Sequence, residues 1–400
     1  MAWRPAPVAR ALSGAAALAV AMGIGRFAYT ALLPGLQRGL AIDDAAGGAL
    51  ASANLAGYLL GAIWARRAAG GRSRAALLRA GLAASVLASG AVVGASSLAA
   101  WGLLRVAAGV ASGLVFVLVS AAVLDELPPG SDGLAGLLYA GVGSGIALSG
   151  AVAAATRAVG WRVPWAILAA LAALLALPGL AMSPSRAARP APAPAPAPAA
   201  PGGQVSISRL SVAYFLEGLG YIVSGTFAVA AVQRTPGLEP LAPWVWVAAG
   251  LAAVPSAIAW GAVARRIGAV ECLAAALALQ AAGMALPAFS AGAWSALAGA
   301  LLFGGTFMGI TTVTIALGRR LSPRAPGRAI GTLTVVFGVG QAIGPALAGL
   351  LARETGSPRP AVLCASAAVA LGALLLWRGR SATAARPALF PAGRPDPSDP

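Results

Sequence analysis

A chain of 400 residues that is 59% hydrophobic and only 10% charged cannot cover a water-facing surface, since soluble domains carry roughly 25% charged residues. Its mean hydropathy of +0.83 suits lipid as the solvent; the net charge of +17 sits beside apolar runs and forms no basic patch interleaved with aromatics, which argues against a nucleic-acid partner. The absence of His excludes imidazole relays, His-ligated metals and Ser-His-Asp catalysis, and two cysteines in or beside apolar segments, Cys272 and Cys364, do not make a disulfide framework, so neither cofactor nor metal is expected.

Membrane helices need about 20 predominantly apolar residues. Such runs predict six spans in the first half, at 10–34, 44–65, 76–97, 98–122, 133–156 and 161–182. The second half repeats the count, at 209–232, 243–264, 269–289, 292–317, 328–352 and 360–377. Arg4 and Arg10 before the first run mimic a signal peptide, but its length, the arginine inside it and the lack of a cleavage site predict a retained helix.

With the N-terminus in the cytoplasm, twenty of the 28 arginines fall in inside segments and six outside, leaving Arg26 and Arg105 within helices. This asymmetry predicts an even number of spans with both termini cytoplasmic. The run Pro190–Pro198 alternates Pro and Ala, which predicts an extended, solvated linker over 183–208. The expected units are therefore a first six-helix bundle over 1–182, that linker, a second bundle over 209–377 and a disordered cytoplasmic tail over 378–400.

The halves echo each other. Gly61-Ala-Ile-Trp-Ala-Arg66-Arg67 ends the second span and Gly261-Ala-Val-Ala-Arg265-Arg266 the eighth, while Gly141-Val-Gly143 in the fifth recurs as Gly338-Val-Gly340 in the eleventh. Same-sense repeats of six helices form a parallel tandem pair. Six plus six helices around a long central linker resemble the major facilitator superfamily. The loop Gly61 to Arg74, with Arg66, Arg67 and Arg72, resembles that family's gating-loop motif, although its usual Asp is missing near Trp64 and Ala65. Arg105-Val-Ala-Ala-Gly109-Val-Ala-Ser-Gly113 resembles its arginine motif in helix four. Gly23-Ile-Gly-Arg26-Phe-Ala-Tyr29-Thr30 and Glu217-Gly-Leu-Gly-Tyr221 resemble the YbfB/YjiJ-type subfamily, over residues 10–377. The resemblance implies an all-α integral membrane fold of twelve helices in two bundles, and alternating access to a site between them.

Charges within a bilayer require a reason, because each is unfavourable by at least ~2.5 kcal/mol. Arg26, Arg105 and Glu217 are the three that lie well inside the predicted spans. The two arginines fall at similar depth, where guanidinium forks suit a carboxylate or phosphate; the alternative is a structural tie to backbone carbonyls or to Glu217. Glu217 is placed to load and release a proton, or else to hold a permanent salt bridge. Polar neighbours extend the candidate substrate site. Tyr29 and Thr30 follow Arg26, with Tyr29 expected on the same face at i+3; Asn54 and Tyr58 are spaced i, i+4; Glu217, Tyr221 and Ser224 form a stripe. Interhelical glue is the competing role for these groups. Gln341 and the group Thr311, Thr312 and Thr314 are further candidates, and Asp125 and Glu126 are expected to pair with arginines of neighbouring inner loops. The Gly-rich stretches around Gly143 and Gly340 follow no strand and precede no Lys, so they suit close helix packing and not a nucleotide loop.

These observations predict a bacterial inner-membrane secondary transporter, monomeric and not an enzyme, whose substrate is a small organic anion or an amphipathic compound moved with protons. A non-transporting scaffold or sensor is the alternative, but the linker and tail supply no soluble domain for it.

Overall fold

The computed structural model describes residues 7–67, 71–127, 131–182, 205–323 and 325–384. Among these, twelve long helices follow one another: α1 (Pro7–Leu40), α2 (Asp44–Arg67), α3 (Gly71–Ala91), α4 (Leu98–Leu124), α5 (Asp132–Ala155) and α6 (Arg162–Leu180). The second set is α7 (Ile207–Gln233), α8 (Ala242–Ile267), α9 (Ala269–Phe289), α10 (Ala293–Leu321), α11 (Pro326–Thr355) and α12 (Arg359–Ala384). Eleven are both long and apolar enough to cross a bilayer; α3 falls short because Arg72, Arg74 and Arg79 crowd its first half. The chain is a multi-pass membrane protein.

Several expected helix ends move: α1 runs to Leu40 and α3 stops at Ala91, six residues later and six earlier than expected, and two further ends shift as well. α12 runs on to Ala384, so helix occupies the start of the segment assigned to a disordered tail. α3 begins at Gly71, because its arginines continue the helix toward the membrane surface before the apolar run starts. The linker expected over 183–208 lies outside the described residues as far as Gln204.

Two seams join the halves, α2 against α11 and α5 against α8, with α1 against α7 between them. Small residues permit these approaches. Along α5, Gly136, Gly143 and Gly150 meet Ile258, Gly250 and Val247 of α8 in turn, an antiparallel order. Gly48 of α2 touches the Pro345 carbonyl of α11, and a single methyl group on Gly48 would collide with it. Within each half the fifth helix runs parallel to the first: Gly141 and Gly145 lie on Ala15 and Ala19, as Gly340 and Gly344 lie on Phe215 and Leu219. The internal repeat therefore aligns Gly141 with Gly340, not with Gly338. Arg66 and Arg265 have that same separation along the chain. Gly338 instead faces Leu59 across the seam.

Even helix number puts the start of α1 and the end of α12 on one side, here the terminal face; the α1–α2 loop marks the opposite face.

Candidate functional site

α1 is α-helical over Pro7–Leu18, a wider π-helix over Ala19–Phe27, and α-helical again from Ala28. Such i→i+5 winding is rare and concentrates at functional positions. Gly23, within it, lies against the backbone of Gly145, where a side chain could not fit. Arg26 is set near the end of this segment, and its side chain crosses between the halves. Its Nη2 donates to the Tyr221 hydroxyl of α7 at 3.0 Å and to Gln341 Oε1 of α11. The guanidinium lies 4.9 Å from the ring centre of Phe27 and 4.7 Å from that of Tyr58. Arg26 is 5% exposed and contacts no carboxylate among the described residues. Its Nε and the Nε2 of Gln341 are buried without partners. One turn beyond, Pro345 has no N–H to offer the Gln341 carbonyl, which loosens α11 at this point.

Arg105 behaves differently. Its Nη1 donates to the Gly25 carbonyl at 3.2 Å and its Nε reaches the Leu50 carbonyl at 3.5 Å, while the guanidinium lies 4.4 Å from the Tyr29 ring centre. Tyr29 donates to the Gly47 carbonyl at 2.8 Å, and Asn54 Nδ2 to the Arg105 carbonyl at 2.9 Å. Arg105, Tyr29 and Asn54 thus form a network inside the first half, apart from the seam that holds Arg26, Tyr221 and Gln341. The contacts match the structural alternative for Arg105. Arg26 and Tyr29, expected on one face at i+3, take different partners: Arg26 bonds across the seam and Tyr29 within the first half. Thr30 crosses the seam as well, donating to the Gly225 carbonyl of α7.

Glu217 is 1% exposed and faces Gln280 of α9, deep in the second half. The approach stops short of a well-formed hydrogen bond: Glu217 Oε2 and both amide atoms of Gln280 lack partners. Neither buried arginine pairs with Glu217, so the expected alternative of a permanent salt bridge is not what the structure holds. Ser224 Oγ, on the same stripe, is also buried without a partner. Thr311 and Thr312 bond back to carbonyls of their own helix.

Sequence reasoning missed the aromatic wall beside Tyr221. Its ring is nearly parallel to those of Phe337, Phe307 and Phe303, at 5.6, 6.0 and 6.2 Å between centroids. Trp246 continues the wall and donates from Nε1 to the Phe27 carbonyl at 3.2 Å. The i, i+4 spacing of Phe303 and Phe307 was the available signal. Gln280, the polar group facing Glu217, was also missed.

A further missed pair joins the halves at the opposite face. Asp44, at the start of α2, makes two hydrogen bonds with Arg234 after α7, at 2.6 and 2.7 Å, and accepts a third from Gln37 at 2.8 Å. The hydrogen bonds to Asp44 hold Arg234 above its ordinary pKa. Asp43 and Arg353 approach to 3.9 Å beside it. On the terminal face, Arg10 pairs with Glu126 at 2.7 Å, as expected for that acid. Arg66 of the candidate gating loop lies against Gly331 of α11, Arg67 is exposed, and the Arg72 side chain lies outside those described.

Two six-helix halves meeting at a buried polar centre are the architecture of a membrane transporter of the major facilitator type. A point mutant of the nucleoside transporter NupG superposes with a TM-score of 0.72 at 12% identity, covering 93% of this chain and 99% of that one. A D-xylose–proton symporter gives 0.72 at 13% identity, over 94% and 98%. A bacterial homologue of the human lysosomal transporter Spinster, inward-facing and unoccupied, gives 0.64 at 15%, over 95% and 97%. No curated protein matches the chain. Residues 18–377 match the family described as uncharacterised MFS-type transporter YbfB, and the chain belongs to that family.

Proposed function

We propose that this protein is a secondary transporter that carries a small organic anion by alternating access, coupled to protons through Glu217. The observation that carries the reading is Arg26: a buried cation on the first half whose side-chain hydrogen bonds go to the second half, with no carboxylate against it among the described residues. An anion that replaces Gln341 on the guanidinium would lower the energy of the closed state, and rocking of the halves would break the same bonds on either face. Asp44–Arg234 then holds the opposite face closed, and Arg66 near Gly331 serves the terminal face. Arg105, Tyr29 and Asn54 support the site from behind by fixing the π segment, at the Gly25 carbonyl above all.

Glu217 has the surroundings of a carboxyl that changes protonation: a polar but uncharged neighbour in Gln280 and no fixed counter-charge. The arginine asymmetry supports a cytoplasmic terminal face with both chain ends inside, in what we read as a bacterial inner membrane. The partners are the solute, protons and lipid, and the unit is a monomer. At the depth of the candidate site, one acid, Glu217, and two arginines suit binding and not bond cleavage, so no enzymatic activity is assigned.

Uptake into proteoliposomes by the purified protein, across a panel of organic anions and an imposed pH gradient, tests this. Wild-type protein should accumulate at least one anion, Arg26→Ala should abolish accumulation, and Glu217→Gln should retain exchange while losing the response to the gradient. Full gradient-driven accumulation by Glu217→Gln would remove the coupling role. Movement of neutral or cationic solutes alone would overturn the anion reading. A protein that moves nothing would favour the scaffold or sensor alternative.

A further inference from the structure

We infer that the transported anion is a flat aromatic monocarboxylate, recognised by the Arg26 fork at its charged end and by the Tyr221–Phe337–Phe307–Phe303 rings along its face. The inference rests on the anion reading above and adds the substrate's charge, shape and hydrophobicity.

The charge follows from the donors. Three groups converge at the seam, and each has a donor free. Arg26 Nε and Gln341 Nε2 are buried without acceptors, and the Tyr221 hydroxyl accepts from Arg26 while keeping its own O–H to give. A carboxylate that displaces Gln341 Oε1 from Nη2 can take the Nε–Nη2 edge of Arg26 with two parallel bonds, and the Tyr221 hydroxyl and the released Gln341 amide can donate to its remaining lone pairs. A tetrahedral dianion would need a second cation at the seam. Arg105, the neighbouring one, is committed to the Gly25 and Leu50 carbonyls. One free guanidinium therefore matches one negative charge.

The shape follows from the rings. Those of Phe337, Phe307 and Phe303 stand within 19° of the Tyr221 plane, and Phe303 and Phe307 within 20° of each other. They come from α7, α10 and α11 of one half, whereas Arg26 with Phe27 and Tyr58 comes from the other. A set of near-parallel faces next to an anion site receives a planar ring by offset stacking, a geometry that a bulky saturated ring cannot adopt. Phe27, from α1, stands edge-on to Phe307 at 62°. When the halves part, this wall travels with the second half and the guanidinium with the first, so a ligand touching both reports closure to each.

The test is binding to purified protein in nanodiscs by isothermal titration, with four probes. Benzoate carries ring and charge; cyclohexanecarboxylate has the charge without a flat ring; benzamide has the ring without the charge; phthalate carries two charges. Benzoate should bind best, cyclohexanecarboxylate about tenfold more weakly, as expected for lost ring stacking, and benzamide and phthalate at least as poorly. Phe303→Leu and Phe337→Leu should each weaken benzoate severalfold and cyclohexanecarboxylate far less, so that the preference for the flat ring shrinks, whereas an unfolded variant is recognised by its loss of both. Equal binding of benzoate and cyclohexanecarboxylate would overturn the aromatic inference and leave the anion reading standing. Binding of benzamide without benzoate would overturn both, and preference for phthalate would overturn the monoanion assignment alone.

Discussion

Arg26 and Arg105 are both arginines buried in the same protein at neighbouring positions, yet one is a link and the other a fastening. Every hydrogen bond of the Arg105 guanidinium ends on a backbone carbonyl of its own half, and such partners move with it. Those of Arg26 end on side chains of the opposite half, and those partners leave when the halves separate. A buried cation thus takes its role from which rigid body carries its partners, and not from its charge or depth. In a low-dielectric interior, both arrangements satisfy the guanidinium, but only the second makes its energy depend on conformation.

The most severe way to break this contrast is to remove each arginine in turn. Arg26→Ala should lower transport by about 100-fold, the loss of a charge-assisted hydrogen-bonding fork, while thermal stability in detergent changes little. Arg105→Ala should do the reverse. It strands the Gly25 and Leu50 carbonyls and undercuts Tyr29, so stability should fall by roughly 2–4 kcal/mol, read as a lower melting temperature and poorer yield. If both variants fold equally well and both merely lose transport, the distinction between link and fastening is wrong.

The seams permit a finer test. Gly48→Ala places a methyl group against the Pro345 carbonyl of α11, and the α2–α11 contact on the opposite face should open. Labelling of Ser52→Cys by a membrane-impermeant maleimide should then rise severalfold, since Ser52 accepts from the Ala346 N–H across that contact. Asp44→Asn should have the smallest effect. The pair it weakens joins a buried carboxylate to a half-exposed arginine, and exposed ion pairs contribute only ~0.2–1 kcal/mol. A two- to fivefold shift toward opposite-face opening, measured by the same labelling, is the expected result; no change would assign closure to packing alone.

Much of the fold was legible because lipid imposes a simple code. Backbone groups must be satisfied within each span, so apolar length marks helices, and arginines flank them. The exception, α3, was readable as a span but blurred at its start by three arginines that extend the helix. Of the candidate site, Arg26, Tyr221 and Gln341 could be picked out as polar groups in apolar surroundings. Their mutual contact could not, since α1, α7 and α11 are joined by packing between residues hundreds of positions apart. Asp44 and Arg234 each sat in loops of ordinary composition, where nothing local distinguishes a clasp from two solvated charges. The aromatic wall was hidden for another reason: Phe and Tyr in a membrane helix read as core until their ring planes are known.

The sequence alone determined the twelve helices, their two-fold repetition and the short catalogue of charges that a bilayer tolerates, because those depend on transfer from water to lipid, residue by residue. The tertiary structure alone decided that Arg26 bridges the halves while Arg105 anchors one of them, and that Glu217 faces Gln280 instead of an arginine. Partners are chosen by helix rotation and packing, which local sequence does not fix, and the side chain that bridges the halves stands near the end of a nine-residue π-helical segment of α1.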